Sequence, residues 1–358
     1  MSSASADGSR TPVLSAFGSA RTPQAAADLA RRTGDAGFGG LWIPEGAQPV
    51  FSVCAGASMG LTGGRLGTSV ALAFPRSPML SAQAAWMLAE ATGGNFVLGL
   101  GTQVRAHIER RFSAQFSSPG PRMREYVQSI RAIYQAFRGE ARLKFEGDFY
   151  NFSLLSSQWS PGPMEFVDPP IYVAGVRPWM CGMAGEVADG VLVHPLSTPD
   201  YLADVLLPAV AQGEARASRA AGTVKLVCPI MTAVSDSEAV RLKQRNSIRN
   251  RLAFYGSTPG YGIVFDVSGW PGVGDQLNAL QREGKIDEMA ALITDEMLDA
   301  FSITSTWEEL PTRLHDRFAG IAEDIVCYSA LEHWGDDADA PDRWMDVNRR
   351  FQALAAAG

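Results

Sequence analysis

One glycine-containing stretch of the sequence carries polar side chains suited to contacting a ligand. In GLGTQVRAHIERRF, Gly99 and Gly101 precede the hydroxyl of Thr102 and the amide of Gln103. Glycine lets a backbone approach a ligand closely, while Thr and Gln supply hydrogen-bond donors and acceptors. The stretch does not match the G-x-G-x-x-G fingerprint of dinucleotide sites. It therefore indicates either a loop that contacts a ligand or glycines that only turn the chain.

A second stretch, AGVRPWMCGMAGEVADG, has the features of an anion site. Gly175, Val176 and Arg177 come directly before Pro178, a residue typical of the first turn of a helix. Free N–H groups and the dipole at a helix start favour an anion such as phosphate. Arg177 adds a full positive charge with forked donors. The alternative is an ordinary helix cap with a surface arginine.

Two ionisable residues each follow a short apolar run: Glu45 in IPEGAQP and His194 in VLVHPLST. A carboxylate or an imidazole in such a place could transfer a proton. A solvated loop acid and a hydrogen-bonded structural histidine are the alternatives. We find no H-E-x-x-H, clustered Cys/His, paired Asp, G-x-S-x-G or P-loop motif, so no metal site is expected.

Strand-like and helix-like segments alternate along the chain, a pattern typical of parallel strands joined by crossover helices. The predicted strands are Val13–Phe17, Leu41–Ile43, Arg65–Ala73, Asn95–Leu100, Ile171–Ala174, Val191–His194, Lys225–Ala233 and Asp324–Tyr328. Eight strands are the number that a closed (β/α)8 TIM barrel needs. The alternation breaks at 139–167 and 256–303, which we interpret as insertion segments within a single domain spanning 1–358. Active sites of such barrels form at the carboxyl ends of the strands, where all the candidate residues above fall.

The composition excludes several classes of function. The 358 residues include 31 basic and 38 acidic side chains, with no basic stripe, so nucleic acid is not an expected partner. The four cysteines are scattered beside apolar runs and are interpreted as reduced core thiols. Met1–Arg10 lacks the pattern of a signal peptide, and no apolar run reaches roughly 18 residues. We therefore expect a cytoplasmic protein that does not span a membrane.

Several long stretches resemble the F420-dependent branch of the luciferase-like monooxygenase superfamily. They are LWIPEGAQPVF, RLGTSVALAFPRSPMLSAQAAWMLAEATGGNFVLGLGTQVRAHIERRF, RMREYVQSIRAIYQAF and PPIYVAGVRPWMCGMAGEVADGVLVHPLST. The resemblance covers most of the chain from about Gly34 to Thr198. It implies a luciferase-like β/α barrel that holds an elongated cofactor at its carboxyl face.

The resemblance also implies roles for individual residues. A non-prolyl cis peptide is expected at Ser69–Val70, against which the deazaflavin ring would pack. The resemblance implies that Gly99, Gly101 and Thr102 line the cofactor site, that Gly175, Val176 and Arg177 receive its phosphate, and that Trp42, Glu45 and His194 border the ring and substrate. Sugar-phosphate dehydrogenases of the family carry an acidic residue and a histidine where this chain has Gln103–Val104 and Ile43–Pro44. Oxidation of a sugar phosphate is therefore disfavoured.

These observations predict an F420-dependent oxidoreductase that transfers hydride between C5 of the deazaflavin and a small organic substrate. Reduction of a C=C or C=N bond is favoured over oxidation of an alcohol. Glu45 is the first candidate for proton donor or relay, followed by His194 and Gln103. The alternatives are an FMN-dependent monooxygenase and a cofactor-free binding protein on the same barrel. The family often forms homodimers, and substrate identity is expected to depend on 139–167 and 256–303.

Overall fold

The computed structural model describes residues 12–357, and a ring of parallel β-strands lies at its centre. The strands are β1 Val13–Phe17, β2 Gly40–Ile43, β3 Arg65–Thr68, β4 Ala71–Leu72, β5 Phe96–Gly101, β6 Phe145–Glu146, β7 Asn151–Phe152, β8 Ile171–Ala174, β9 Gly190–Leu192, β10 Lys225–Val234, β11 Ser302–Ser305 and β12 Asp324–Cys327. Eight of them close the ring in the order β1-β2-β3-β5-β8-β9-β10-β12, and β12 pairs with β1. The predicted TIM barrel is confirmed. The prediction for Met1–Arg10 lies outside the described residues.

Helices surround the ring. They are α1 Pro23–Asp35, α2 Val50–Ser58, α3 Pro78–Ala91, α4 Arg105–Arg110, α5 Pro119–Arg138, α6 Pro178–Val187, α7 Pro199–Tyr201, α8 Leu207–Arg216, α9 Glu238–Gly256, α10 Gly262–Val267, α11 Val273–Glu283, α12 Ile286–Leu292, α13 Asp295–Phe301, α14 Leu310–Phe318, α15 Ala330–Asp336 and α16 Ala340–Ala357. Thr22 and Ser77 cap α1 and α3 through their hydroxyls, and each of these helices begins with proline. No helix within residues 12–357 has the long apolar stretch that crossing a bilayer requires.

The third strand of the barrel is interrupted. The sequence predicts one strand over Arg65–Ala73, whereas the structure has β3 and β4 separated by Ser69 and Val70. Gly67 pairs with Val97, and Leu72 pairs with Gly101. The chain thus advances five residues from Gly67 to Leu72 while β5 advances four. That mismatch is a β-bulge. The Ser69–Val70 peptide at the bulge is cis, as the family resemblance implies.

The inside of the barrel is a packed core with a polar floor. Six buried side chains fill the interior: Trp42, Val97, Tyr172, Leu192, Val227 and Val326. At the amino ends of β3 and β12, Arg65 Nη2 pairs with Glu323 at 3.0 Å and Arg65 Nη1 with Asp324 at 3.4 Å. Burial raises the pKa of Asp324 even though Arg65 opposes that shift. These side chains fill the amino end of the barrel, so a ligand entering the barrel would approach from the carboxyl face.

The two segments that interrupt the alternation differ in structure. Part of 139–167 forms the small antiparallel hairpin β6–β7 and a 3₁₀ turn at Ser157–Trp159. The segment 256–303 folds into α10 to α13 and leads into β11, which pairs with the second half of β10.

Candidate active site

The carboxyl ends of the parallel strands bring most of the candidate residues to one face of the barrel. Three partly exposed side chains, Phe17, Val70 and Ala174, form the upper layer of the barrel interior at this face. Trp42 lies beneath that layer, has no exposed surface, and donates from Nε1 to Asp324 Oδ2 at 3.0 Å. The structure therefore places the Trp42 indole against the floor, away from the surface of the carboxyl face.

Glu45 is bound on both oxygens. Its Oε2 accepts from Arg76 Nη1 at 2.6 Å and from the Leu72 amide at 2.8 Å, and its Oε1 accepts from Arg76 Nη2. The Glu45 side chain is only 4% exposed. Every contact uses Glu45 as an acceptor, and together they tie the loop after β2 to the chain beyond the bulge. These contacts favour a positioning role and give no support to the predicted role as proton donor.

Gly99 and Gly101 allow β5 to pack against the bulge. A Cβ on Gly99 would lie 1.9 Å from the Thr68 carbonyl oxygen, and one on Gly101 would lie 2.5 Å from Val70 Cγ2. Thr68 Oγ1 accepts from the Gly99 amide at 2.9 Å and donates to the Gly99 carbonyl at 2.7 Å. Both glycines are buried. Close packing of the two strands thus accounts for both residues, whether or not a ligand also approaches them.

Thr102 and Gln103 end β5 in a tight local arrangement. Gln103 has φ 56°, in the left-handed region. Its Oε1 accepts from the Val104 amide at 2.9 Å, and Thr102 Oγ1 donates to the Gln103 carbonyl at 3.1 Å. The side-chain nitrogen of Gln103 has no partner within residues 12–357, so it remains a donor for a ligand.

The start of α6 carries a positive charge without a protein partner. Arg177 is the N-cap residue, is exposed, and pairs with no carboxylate in the described part of the chain. The amides of Val176 and Arg177 donate to no backbone carbonyl among the same residues. An added Cβ on Gly175 would lie 3.1 Å from Met180 Cγ, so this residue lets the turn fold tightly onto the helix. Free amides beside an unpaired guanidinium suit an anionic group.

His194 is held as a neutral imidazole. Its Nδ1 accepts from the Leu196 amide at 3.0 Å, and its ring packs edge-on against Tyr255 and Tyr261 with centroids 5.0 and 4.7 Å away. Burial lowers the pKa of His194 to about 4. With Nδ1 accepting, the proton is assigned to Nε2. At neutral pH His194 can donate a hydrogen bond from Nε2, but it carries no positive charge.

A cavity of about 750 Å³ opens at the carboxyl ends of β1, β2 and β12. Its lining includes Phe17, Pro44, Arg251, Tyr255, Tyr328 and Trp334. Phe17 stacks on Tyr328 with centroids 4.2 Å apart, and the hydroxyl oxygens of Tyr255 and Tyr328 are 2.7 Å apart.

Sequence reasoning missed these aromatic residues. Phe17 and Tyr328 stand at the ends of two predicted strands, so reading every strand end for side chains would have found both. Tyr255 and Arg251 come from α9, and no local signal shows that this helix reaches the cavity. Within residues 12–357, no three His, Cys, Asp or Glu side chains are grouped as a metal site would require.

Comparison with known proteins identifies the family to which the sequence is similar. The sequence profile described as luciferase-like monooxygenase matches residues 5–323. An uncharacterized protein of Mycobacterium tuberculosis is 36% identical over 307 residues, which cover 86% of this chain and 89% of that protein. The 5,10-methylenetetrahydromethanopterin reductase of Archaeoglobus fulgidus is 29% identical, with 83% of this chain and 87% of the reductase covered.

Among solved structures, the coenzyme F420-dependent tetrahydromethanopterin reductase of Methanopyrus kandleri superposes with a TM-score of 0.75. It is 18% identical, and the match covers 95% of this chain and 98% of the reductase. At that identity the likeness shows the fold alone.

Proposed function

The chain belongs to the luciferase-like monooxygenase family, and on that premise we propose that it is an F420-dependent oxidoreductase. The proposed reaction transfers hydride between C5 of the deazaflavin and a small organic substrate. The similarity to a reductase named for 5,10-methylenetetrahydromethanopterin supports reduction of the substrate, and we propose that the bond reduced is C=C or C=N. The family resemblance further leads us to propose a homodimer, which sedimentation velocity would test.

The observation that carries this proposal is the unpaired Arg177 at the start of α6, beside amides that have no backbone acceptor. A long anionic cofactor needs such a group for its phosphate, because the chain as a whole carries a net charge of -7. The residues present fit that requirement without any rearrangement of ion pairs.

The other residues of the carboxyl face would orient the cofactor. Ser69 and Val70 would support one face of the ring, and Thr102 and Gln103 would offer hydrogen bonds at its edge. Glu45 and Arg76 hold the bulge in place from behind. When bound, the deazaflavin supplies the hydride chemistry, while the protein binds, aligns and shields the reactants from water.

A titration of the purified protein with F420 and, separately, with FMN tests the proposal. We expect F420 to bind, and the Arg177→Gln variant to bind it roughly tenfold to a hundredfold more weakly, since a hydrogen-bonded charge is lost. Arg142→Gln is the matched control, because Arg142 is an exposed arginine on the segment between α5 and β6. Binding of FMN with no binding of F420 would overturn the choice of cofactor and favour a flavin monooxygenase. Binding of neither would favour a protein that uses the barrel without a cofactor.

A further inference from the structure

The hydroxyl groups of Tyr255 and Tyr328 form a pair that lines the cavity. Tyr255 lies on α9 and Tyr328 directly follows β12, and their oxygens are 2.7 Å apart. A tyrosine has one O–H proton, so in such a pair one hydroxyl donates to the other and one proton remains. No other group within residues 12–357 hydrogen-bonds either hydroxyl. Burial and the neighbouring Tyr255 raise the pKa of Tyr328, so the hydroxyl stays protonated. The pair therefore offers one free donor.

Arg251 adds a second donor beside this pair. It lies four residues before Tyr255, on the same face of α9. Its Nη2 donates to Glu332 Oε1 at 2.7 Å, and the guanidinium carbon is 5.6 Å from the centroid of the Tyr328 ring. Its Nη1 is buried and has no hydrogen-bond partner in the described part of the chain. A buried donor without an acceptor is unfavourable, so a side-chain rotation that turned Nη1 toward the cavity would let it gain an acceptor on a ligand.

The remaining walls of the cavity suit a flat apolar body. The Phe17 ring stacks on Tyr328 with an interplanar angle of 21°, and Trp334 lies under the guanidinium of Arg32. The lining contains two arginines, Arg32 and Arg251, and a single carboxylate, Glu332. The volume of about 750 Å³ falls within the range of small-molecule sites. Aromatic walls with an excess of donors favour a planar molecule that carries a negatively polarised oxygen.

We propose that Tyr255, Tyr328 and Arg251 form an oxyanion site for the carbonyl oxygen of a conjugated carbonyl substrate. The reaction assigned to this site rests on the proposed function. If the reduced cofactor binds as proposed, hydride addition at the carbon of the C=C bond farther from the carbonyl group would shift the π electrons onto the oxygen as an enolate. The three side chains stabilise that oxygen. One proton from solvent, passed through the hydroxyl pair, would neutralise the enolate oxygen, and the resulting enol would tautomerise to the saturated carbonyl product. The oxidised cofactor would release its own ring N–H proton to solvent, so one hydride and one proton reach the substrate.

A binding experiment tests the site without turnover. The probes are 4-nitrophenolate, whose anionic oxygen mimics an enolate, and nitrobenzene, which has the same ring without that oxygen. Dissociation constants for both are measured with the wild-type protein at a pH where the first probe is ionised. The readout is the ratio of the two constants, because a change in packing alone affects both probes alike. We expect the wild-type protein to prefer 4-nitrophenolate, and Tyr328→Phe and Tyr255→Phe each to lose about tenfold of that preference.

Tyr150→Phe is the matched control. The Tyr150 hydroxyl accepts from Arg122 Nε at 2.9 Å, away from the lining of the cavity, so this variant should keep the wild-type ratio. If Tyr328→Phe does not fold, Tyr255→Phe and Arg251→Lys supply the comparison. Equal affinity of the wild-type protein for both probes, failure to bind either, or an unchanged ratio in the Phe variants would overturn the proposal.

A parallel fluorescence titration with F420 separates the two proposals. Binding of F420 without a preference for the phenolate rejects the oxyanion site and leaves the proposed function standing. A phenolate preference without F420 binding rejects the proposed function and the reaction assigned to the site, but keeps the site itself.

Discussion

At the scale of single residues, the ion pair between Glu45 and Arg76 explains how the carboxyl face keeps its shape. The two side chains are 4% and 19% exposed and connect the loop after β2 to the chain beyond β4. Taking one partner away from a buried pair leaves the other charge without compensation, which is far less favourable than losing an exposed pair.

We therefore expect Arg76→Met to lower the free energy of unfolding by about 3–5 kcal/mol, as measured by urea denaturation. The matched control is Arg313→Met, which removes an exposed helical pair with Glu309 and should change stability by at most about 0.5 kcal/mol. Similar losses in both variants would show that the Glu45 pair has no special structural role.

His194 gives a prediction about pH. Its folded pKa of about 4 lies below the usual 6.5, so on acidification the unfolded chain binds the proton first. The stability that His194 contributes is present above 6.5 and is lost as the pH falls toward 4. Urea unfolding at about pH 7 and about pH 5 should show a smaller drop for His194→Asn than for the wild-type protein.

The control for that measurement is His107→Asn, because His107 is exposed on α4. This variant should retain the wild-type drop between the two pH values. If the unfolding free energy of His194→Asn fell as much between the two pH values as that of the wild-type protein, groups other than His194 would produce the acid sensitivity.

At the scale of elements, regular segments were predictable where apolar runs are bounded by helix and strand breakers. β1 and β8 begin and end where the sequence predicts. The sequence gives no signal for α2, because Val50–Ser58 contains no charged residue and so shows no polar face from which a helical period could be read. The apolar run gave no sign of the interruption after β3, and only the family resemblance implied the cis peptide that lies there.

The contact between the bulge and β5 is tested by Gly99→Ala. The added methyl group would overlap the Thr68 carbonyl oxygen and Leu192 Cδ1, so the strands must separate. We expect a loss of about 3 kcal/mol in the free energy of unfolding. Gly46→Ala is the control, because no atom lies within 4 Å of the position that its Cβ would take. Equal stability of the two variants would contradict the close packing of β5 against the bulge.

At the scale of the whole molecule, the cavity shows what sequence patterns could not supply. Phe17, Tyr255 and Tyr328 come from the start, the later part and the end of the chain, and they meet only because the barrel closes between β12 and β1. The strand count predicted a barrel, and sites of such barrels form at the carboxyl ends of the strands, so the sequence predicted which end carries the site. The partner of each side chain across that face depends on closure and on the path of α9, which local periodicity does not encode.

The closed core also protects the thiols. All four cysteines are buried and unpaired, as expected, and burial raises the pKa of Cys181 to about 11 and that of Cys228 to about 12. The native protein should therefore resist a thiol reagent at mildly alkaline pH, whereas the urea-unfolded chain should react at all four positions. Ser117→Cys, at an exposed position, serves as the positive control for the reagent. Rapid labelling of the native wild-type protein would contradict a well-packed core.

The long strand β10 has a consequence for protein engineering. Its first residues pair with β9 and β12, and Met231–Val234 pair with Ser302–Ser305 of β11. A chimera that imports β11 together with the intervening helices from a relative, but keeps the host's β10, would pair the second half of β10 with a foreign strand. Splice points before Met231 and after Ser305 would move both halves of the ladder together. Loop exchange between relatives is thus limited by a strand register rather than by the ends of the loops.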